Sequence, residues 1–383
     1  MKKLFVLLIV VLAISCSKKP IPETTLDKAL KSEFPAIQEV MANLKAHEIQ
    51  IMYTHITKNE TGEVTLTDES FQVDTNHYFY PASTVKLPTA VVALEFVDAN
   101  PKITPQTPYF IDGDTVSHSL EDDLRQIFAV SNDEAYNRLY ALLGRDFINK
   151  KLREKGVSPV RIAHRIETEN ASEAKRKALH FLVGTDTITL GGGTDSAIEK
   201  ISVEKLQKGV GFIKDSLQIN EAMDFSEKNY FPVASQQNLM KRLFFPEAFK
   251  ETERFQLSES SLALLKKSMS TVTRLQGYRE IDYWDGYVKF FMFGDDKGRI
   301  PSNFKIYNKI GYAYGTLTDT AYIVDTRNDI HFILTATILV NENGIFDDNK
   351  YEYENKGVPF LAELGREIYR LEIAKKQSNE SNQ

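Results

Sequence analysis

The chain has 383 residues, 42% of them hydrophobic, enough apolar material for a full core in one large domain. A formal net charge of −6 excludes a surface built for nucleic-acid phosphates, which needs clustered Lys and Arg. Cys16 is the only cysteine, which excludes an internal disulfide and a thiolate metal site.

The chain starts "MKKLFVLLIVVLAISC": two lysines, an apolar run from Leu4 to Ile14, then Ser15 and Cys16. A basic start and a short apolar segment predict an export signal, too short to span a membrane. Its end resembles the bacterial lipoprotein signal, although Ala13 stands where that signal prefers leucine. The resemblance implies that residues 1–15 are removed and that Cys16 is lipidated. The protein would then be anchored to a membrane of the bacterial cell envelope. Residues 16–40 read as a polar tether running into a helix.

Next, "HEIQIMYTHI" (His47–Ile56) and "FQVDTNHYFYP" (Phe71–Pro81) are β-rich runs around a polar stretch and predict a hairpin. A helix is expected from about Ser83 to Val97. Pro88 lies inside it, and its missing N–H would free the carbonyl of Thr84. "SLEDDLRQIFAV" and "DEAYNRLYALLG" carry helical periodicity, with Gly144 as a C-cap. From about 171 to 230 the pattern loosens. Gly191-Gly192-Gly193 reads as a turn rather than a phosphate cradle, because no P-loop lysine follows.

"SQQNLMKRLFF" and "LSESSLALLKKSMS" predict helices, the second capped by Ser258. The aromatic "YREIDYWDGYVKFFMF" reads as a β-rich core segment or rim, the alternative being a sugar- or peptide-binding groove. "NFKIYNKIGYAYG", "DTAYIVDT" and "IHFILTATILV" predict strands. "FDDNKYEYEN" is an acidic loop without calcium-loop spacing. An amphipathic helix closes the chain, with a polar tail at 377–383. The expected fold class is α/β (α+β): an antiparallel sheet built from both termini, flanked by helices, with an inserted all-helical lobe.

The chemistry centres on "STVK". Ser83 and Lys86 lie three residues apart at a helix start, where one turn makes them neighbours. The helix N-terminus adds oriented N–H groups and a positive dipole end. A serine nucleophile needs a base within reach, and Lys86 could serve if burial kept it neutral for part of the time. The alternative is an ordinary capped helix. Other Ser-x-x-Lys pairs, such as Ser172–Lys175 and Ser202–Lys205, show that the spacing alone is not diagnostic.

"STVK", then "SND" at Ser131–Asp133 and "KIG" at Lys309–Gly311, resemble the Ser-x-x-Lys, Ser-Asp-Asn and Lys-Thr-Gly trio of class A β-lactamases and penicillin-binding proteins. "RIETEN" (Arg165–Asn170) resembles the Arg-x-Glu-x-x-x-Asn loop of class A, one residue short. The resemblance covers most of residues 41–376 and implies a β-lactamase/transpeptidase-like fold with an insertion near 171–230. By that resemblance Ser83 is the nucleophile, Lys86 and Glu167 share the base role, and Ser131 relays a proton to the leaving nitrogen. Asn170 would help to hold the attacking water. Lys309 would meet the substrate carboxylate, Gly311 would admit the ligand close to the strand, and Tyr312 would donate its N–H to the oxyanion.

Two positions depart from the pattern. Asp133 stands where the family has asparagine; ionised, it accepts hydrogen bonds but donates none, and it favours a charged Lys86. Ile310 replaces a hydroxyl residue that contacts the ligand carboxylate, with Thr316 or Thr318 as possible stand-ins. The resemblance implies a monomer acting on a β-lactam or peptidoglycan-like substrate without metal or cofactor. A D,D-peptidase, transpeptidase or esterase, and a non-catalytic binding protein of the same fold, are the rival readings.

Overall fold

A five-stranded antiparallel sheet is assembled from the two ends of the chain, in a computed structural model that describes residues 23–59 and 61–381. The expected signal segment and Cys16 lie outside the described residues. Three helices lead in: α1 (Thr25–Leu30), α2 (Pro35–Met41) and α3 (Leu44–His47). α1 begins with a capping box between Thr24 and Asp27. Strands β1 (Gln50–Lys58) and β2 (Val64–Phe71) follow as a hairpin.

The hairpin's second strand is therefore not Phe71–Pro81 but the stretch before it, read above as a polar connection. β2 is an edge strand, and its side chains alternate between half-buried and exposed, so it needs few apolar residues.

Ser83 lies in a 3-10 turn, Ala82–Val85, that runs into α4 (Lys86–Asp98). Most of α4 is buried, and its apolar residues surround it on all sides, as a helix at the centre of a core requires. Pro88 is its third residue, where an N–H has no intrahelical acceptor, so the proline removes no helical bond there.

After the short β3 (Tyr109–Ile111) come α5 (Leu120–Val130), capped by Ser119, α6 (Asp133–Leu143) and α7 (Arg145–Glu154). The segment read as loose is β structure. β4 (Lys175–Val183) and β5 (Asp186–Thr194) pair with β3 as a three-stranded sheet on the helical lobe. The lobe is thus not all-helical. Leu179 and Phe181 are fully buried at alternate positions of β4, which is what holds the sheet against the helices.

Gly191 to Gly193 lie inside β5, not in a turn. A Cβ on Gly191 would sit 2.9 Å from the backbone of Leu142, so the strand approaches α6 only without one.

Short strands β6 (Gln207–Lys208), β7 (Gly211–Lys214), β8 (Leu217–Ile219) and β9 (Met223–Asp224) complete this region. It pairs with Asn76 and Tyr78 through Glu204, and with Arg161 through Tyr230. Helices α8 (Val233–Phe244) and α9 (Glu259–Ser270) lie where the sequence predicts them, Ser258 accepting from Ser261 N–H as an N-cap. The aromatic segment after them contains no strand; it runs as a loop into the single turn α10 (Phe290–Phe293). Strands β10 (Phe304–Ala313), β11 (Thr316–Asp325) and β12 (Ile330–Leu339) finish the main sheet in the order β10-β11-β12-β1-β2. A short β13 (Ile345–Phe346) pairs with β7, and α11 (Val358–Ser381) ends the fold.

One apolar cluster packs α1, α2 and α11 on one face of the sheet; a second joins the other face to the helical lobe. Between sheet and lobe, β10 runs past the turn that carries Ser83.

Candidate active site

Three distant segments meet at the 3-10 turn. Gly311 of β10 is the closest: a Cβ on it would lie 2.6 Å from the Pro81 carbonyl and 2.9 Å from the amide nitrogens of Ser83 and Thr84. The backbones pass so near that glycine is required for its lack of side chain. Ala82, immediately before Ser83, has φ +46°, a left-handed conformation that costs an alanine about 1–2 kcal/mol. Ser131, Glu167, Tyr314, Asp347 and Asn349 also have positive φ, and all of them line the same cleft of about 890 Å³. Other residues of positive φ lie elsewhere in the chain, so the strain marks this cavity only together with the side chains it holds there.

Lys86 is completely buried beneath the cleft floor. Its Nζ donates to the Ser131 carbonyl, to Asp133 Oδ1 at 2.8 Å and to Ser131 Oγ at 3.3 Å. Lys309, 2% exposed, donates to Ser131 Oγ at 2.7 Å and to the Ile310 carbonyl at 2.8 Å. Ser131 therefore bridges two lysines. It can do so because it closes α5 in the left-handed conformation, φ +57°, which turns both its carbonyl and its hydroxyl towards them. Burial lowers the pKa of Lys86, against the charges of Asp133 and Glu167, which raise it. Burial also places Lys309 well below the ordinary lysine value, helped by the Lys86 charge beside it.

The Asn132-Asp133 order has a local cause. Asn132 caps α6 by accepting from Ala135 N–H at 2.8 Å, which leaves Asp133, one residue on, to face Lys86. Ser83 lines the cleft, but its hydroxyl has no hydrogen-bond partner among the described residues. In this arrangement all three Lys86 bonds are those of an ammonium. A neutral amine would give up one of them and gain a lone pair to turn on Ser83.

Two backbone N–H groups are the candidates for oxyanion donors. Ser83 N–H lies in the first turn of its helix and finds no backbone acceptor. Ala313 and Thr316 pair across a two-residue turn, Tyr314-Gly315, with both φ values positive, so they form the hydrogen-bonded pair that closes the hairpin. By the alternation of an antiparallel ladder, Tyr312 N–H then points away from β11, out of the edge strand, on the side of Ser83.

Glu167 is exposed on the cleft wall, φ +46°. The loop that carries it is anchored by Asn137 of α6, whose side-chain amide donates to the Ile166 carbonyl at 2.8 Å and accepts from Ile166 N–H at 2.9 Å. Arg165 folds the loop back on itself through the Asn170 carbonyl and Glu173. Replacing Asn137 with alanine should cost about 1–3 kcal/mol through the unpaired Ile166 groups. Hydrogen exchange in 164–172 should then quicken ahead of global unfolding; unchanged protection there would show that the amide does not hold the loop.

Asn170 is not brought into the cleft; it is exposed beside it. Ile310 is 1% exposed within the apolar cluster under α11, so no hydroxyl is offered at that position. Neither proposed substitute compensates: Thr316 is buried outside the cleft lining, and the Thr318 hydroxyl donates to Thr337 at 2.9 Å. Residues that the sequence left aside do line the cleft. They include Tyr80, Lys228 from the inserted segment, and Asp347, Tyr351 and Tyr353 from the acidic loop. Their signal is weak in sequence, because each sits in an irregular stretch that only the fold carries to Ser83.

Solved structures share this arrangement of sheet and helices. A β-lactamase from Xanthomonas campestris pv. campestris superposes at TM-score 0.51 with 14% identity, over 91% of this chain and 100% of that one. A β-lactamase from Sphaerobacter thermophilus gives 0.50 and 13%, over 92% and 97%. This chain has the β-lactamase/transpeptidase-like fold. A protein described as PBP-A matches that fold as well, at TM-score 0.50 and 12% identity, over 91% of this chain and 95% of its own. The model of the β-lactamase enzyme family matches residues 34–190, which include Ser83, Lys86, Ser131 and Glu167 and stop short of Lys309. No curated protein matches the chain.

Proposed function

We propose that this β-lactamase-fold protein is a serine hydrolase that opens a β-lactam or related amide through an acyl-enzyme on Ser83. The observation that carries the reading is the hydrogen-bonded chain Lys86–Ser131–Lys309 beneath the turn that presents Ser83. Neutral Lys86 takes the proton of the Ser83 hydroxyl as its oxygen bonds to the carbonyl carbon. The N–H groups of Ser83 and Tyr312 receive the oxyanion. Collapse breaks the C–N bond, and the nitrogen leaves with a proton delivered from Lys86 through Ser131, which Lys309 orients. Water then attacks the ester while Glu167 takes its proton, and Ser83 regains its hydrogen. Turnover of a chromogenic cephalosporin that disappears in Ser83→Ala is the expected result; equal rates in both proteins would end the proposal.

Asp133 and Ile310 favour a second reading, a penicillin-binding D,D-peptidase. Asp133 favours a charged Lys86, and buried Ile310 removes a hydroxyl contact from the ligand side. The two separate by the lifetime of a penicillin adduct followed by mass spectrometry: rapid loss supports the hydrolase, an adduct stable for hours supports the peptidase. In either case Asp133→Asn should shift the alkaline-rising limb of acylation to lower pH. Removing the carboxylate removes the strongest influence that raises the Lys86 pKa. An unmoved limb would assign it to another group. The basic, apolar start ending in Cys16 supports export and lipid attachment, and so an envelope location.

A further inference from the structure

The cleft continues past Tyr312 into a second groove of about 540 Å³, and Tyr312, Tyr351 and Tyr353 line both. Its walls are an edge-to-face series of rings. Trp284 and Tyr287 meet at 5.3 Å and 87°, Tyr312 and Tyr353 at 5.5 Å and 76°, with Phe290 6.3 Å from Tyr312. Tyr312, 47% exposed, is the hinge: its N–H is directed to the Ser83 side while its ring belongs to the groove. A single π-helical turn, Tyr353–Gly357, forms the rim and presents Glu354 and Asn355 to solvent. Such turns recur at functional sites. Asp295 holds Arg366 at 2.7 and 2.8 Å, and Lys297 lies over the Trp284 ring at 5.1 Å, whereas the Trp284 indole N–H is buried without a partner among the described residues. The side chains of Glu354 and Asn355 have no protein partner among the described residues.

We propose that this groove is a saccharide subsite, which binds a pyranose ring of the molecule whose acyl group reaches Ser83. The link to Ser83 rests on the hydrolase or peptidase reading; the sugar site itself does not. The Tyr312 ring, 47% exposed, keeps aromatic surface open to the groove, and a pyranose offers a face of C–H groups to pack on it. Its hydroxyl and acetamido groups need an acceptor and a donor at the edge, which the carboxylate of Glu354 and the amide of Asn355 provide. An alkyl chain would fill the apolar walls but leave both of those groups unused.

Trp284 is the only tryptophan of the chain, so its emission reports on the groove. Tri-N-acetylchitotriose is titrated into the whole protein and into Ser83→Ala, with fluorescence and calorimetry as readouts. Saturable binding to both is expected, weakened at least about tenfold by Asn355→Ala, an exposed position, and by Tyr287→Leu. No saturable signal from the whole protein, or unchanged affinity in both variants, would overturn the subsite. Sugar binding without any penicillin adduct on Ser83 would leave the groove standing and remove the acyl-enzyme reading; an adduct without sugar binding would do the reverse.

Discussion

Replacing Lys86 with methionine is expected to slow acylation of Ser83 by a penicillin by about 10²- to 10⁴-fold, the usual worth of a positioned general base. The methionine keeps most of the length of the lysine and suits a site with 0% exposure, so the core around α4 should close over it. Asp133 loses its partner, but its side chain is 34% exposed and water can solvate it. A large kinetic loss with a small change in Tm is therefore the signature.

The pH profile sharpens the test. Burial lowers the Lys86 pKa, so the reactive amine should form, and acylation rise, at a pH below the ordinary lysine titration. In Lys86→Met that limb should vanish. Stability moves with it: the fold binds fewer protons on Lys86 and Lys309 than the unfolded chain does. The stability they contribute is full above the unfolded lysine value and is lost as pH falls through their folded values. Wild-type acylation rates in Lys86→Met would assign the base to another residue.

Gly311→Val should be the most damaging single change on the strand side. A Cβ there would lie 2.6 to 2.9 Å from three backbone atoms of the turn at Pro81–Thr84, and none of them belongs to a side chain that could swing away. Strand and turn must separate, which moves the hydroxyl of Ser83 and the N–H groups of Ser83 and Tyr312 together. A displacement of about 1 Å at a reacting centre costs on the order of 10²-fold, and overpacking adds about 1–3 kcal/mol of instability. Single-turnover acylation and thermal melting measure the two parts. A valine variant that acylates normally would mean that the strand does not position Ser83.

Much of the site can be read from local chemistry. Ser119, Asn132 and Ser258 are good caps, and each caps a helix. The Ser-x-x-Lys, Ser-Asn-Asp and Lys-Ile-Gly peptides each carry their chemistry within a few residues, so their types and spacings are visible without coordinates. β2 was missed because an edge strand is marked by alternation rather than by apolar content. β4 and β5 were missed because Leu179 and Phe181 become a buried row only against helices far away in sequence.

By itself the amino-acid order determined the helices with strong periodicity and caps, the central strands rich in β-branched residues, and the pairing of Ser83 with its lysine neighbour, all of which depend on contacts within a turn or a strand. The tertiary structure alone decided that Ser131 bridges two lysines, that Ile310 turns into the core rather than the cleft, and that the aromatic loop and the π-turn meet beside Tyr312. Those outcomes rest on which face of a strand or loop meets a distant segment, and burial against such a partner, unlike helical spacing, leaves no periodic trace in the chain.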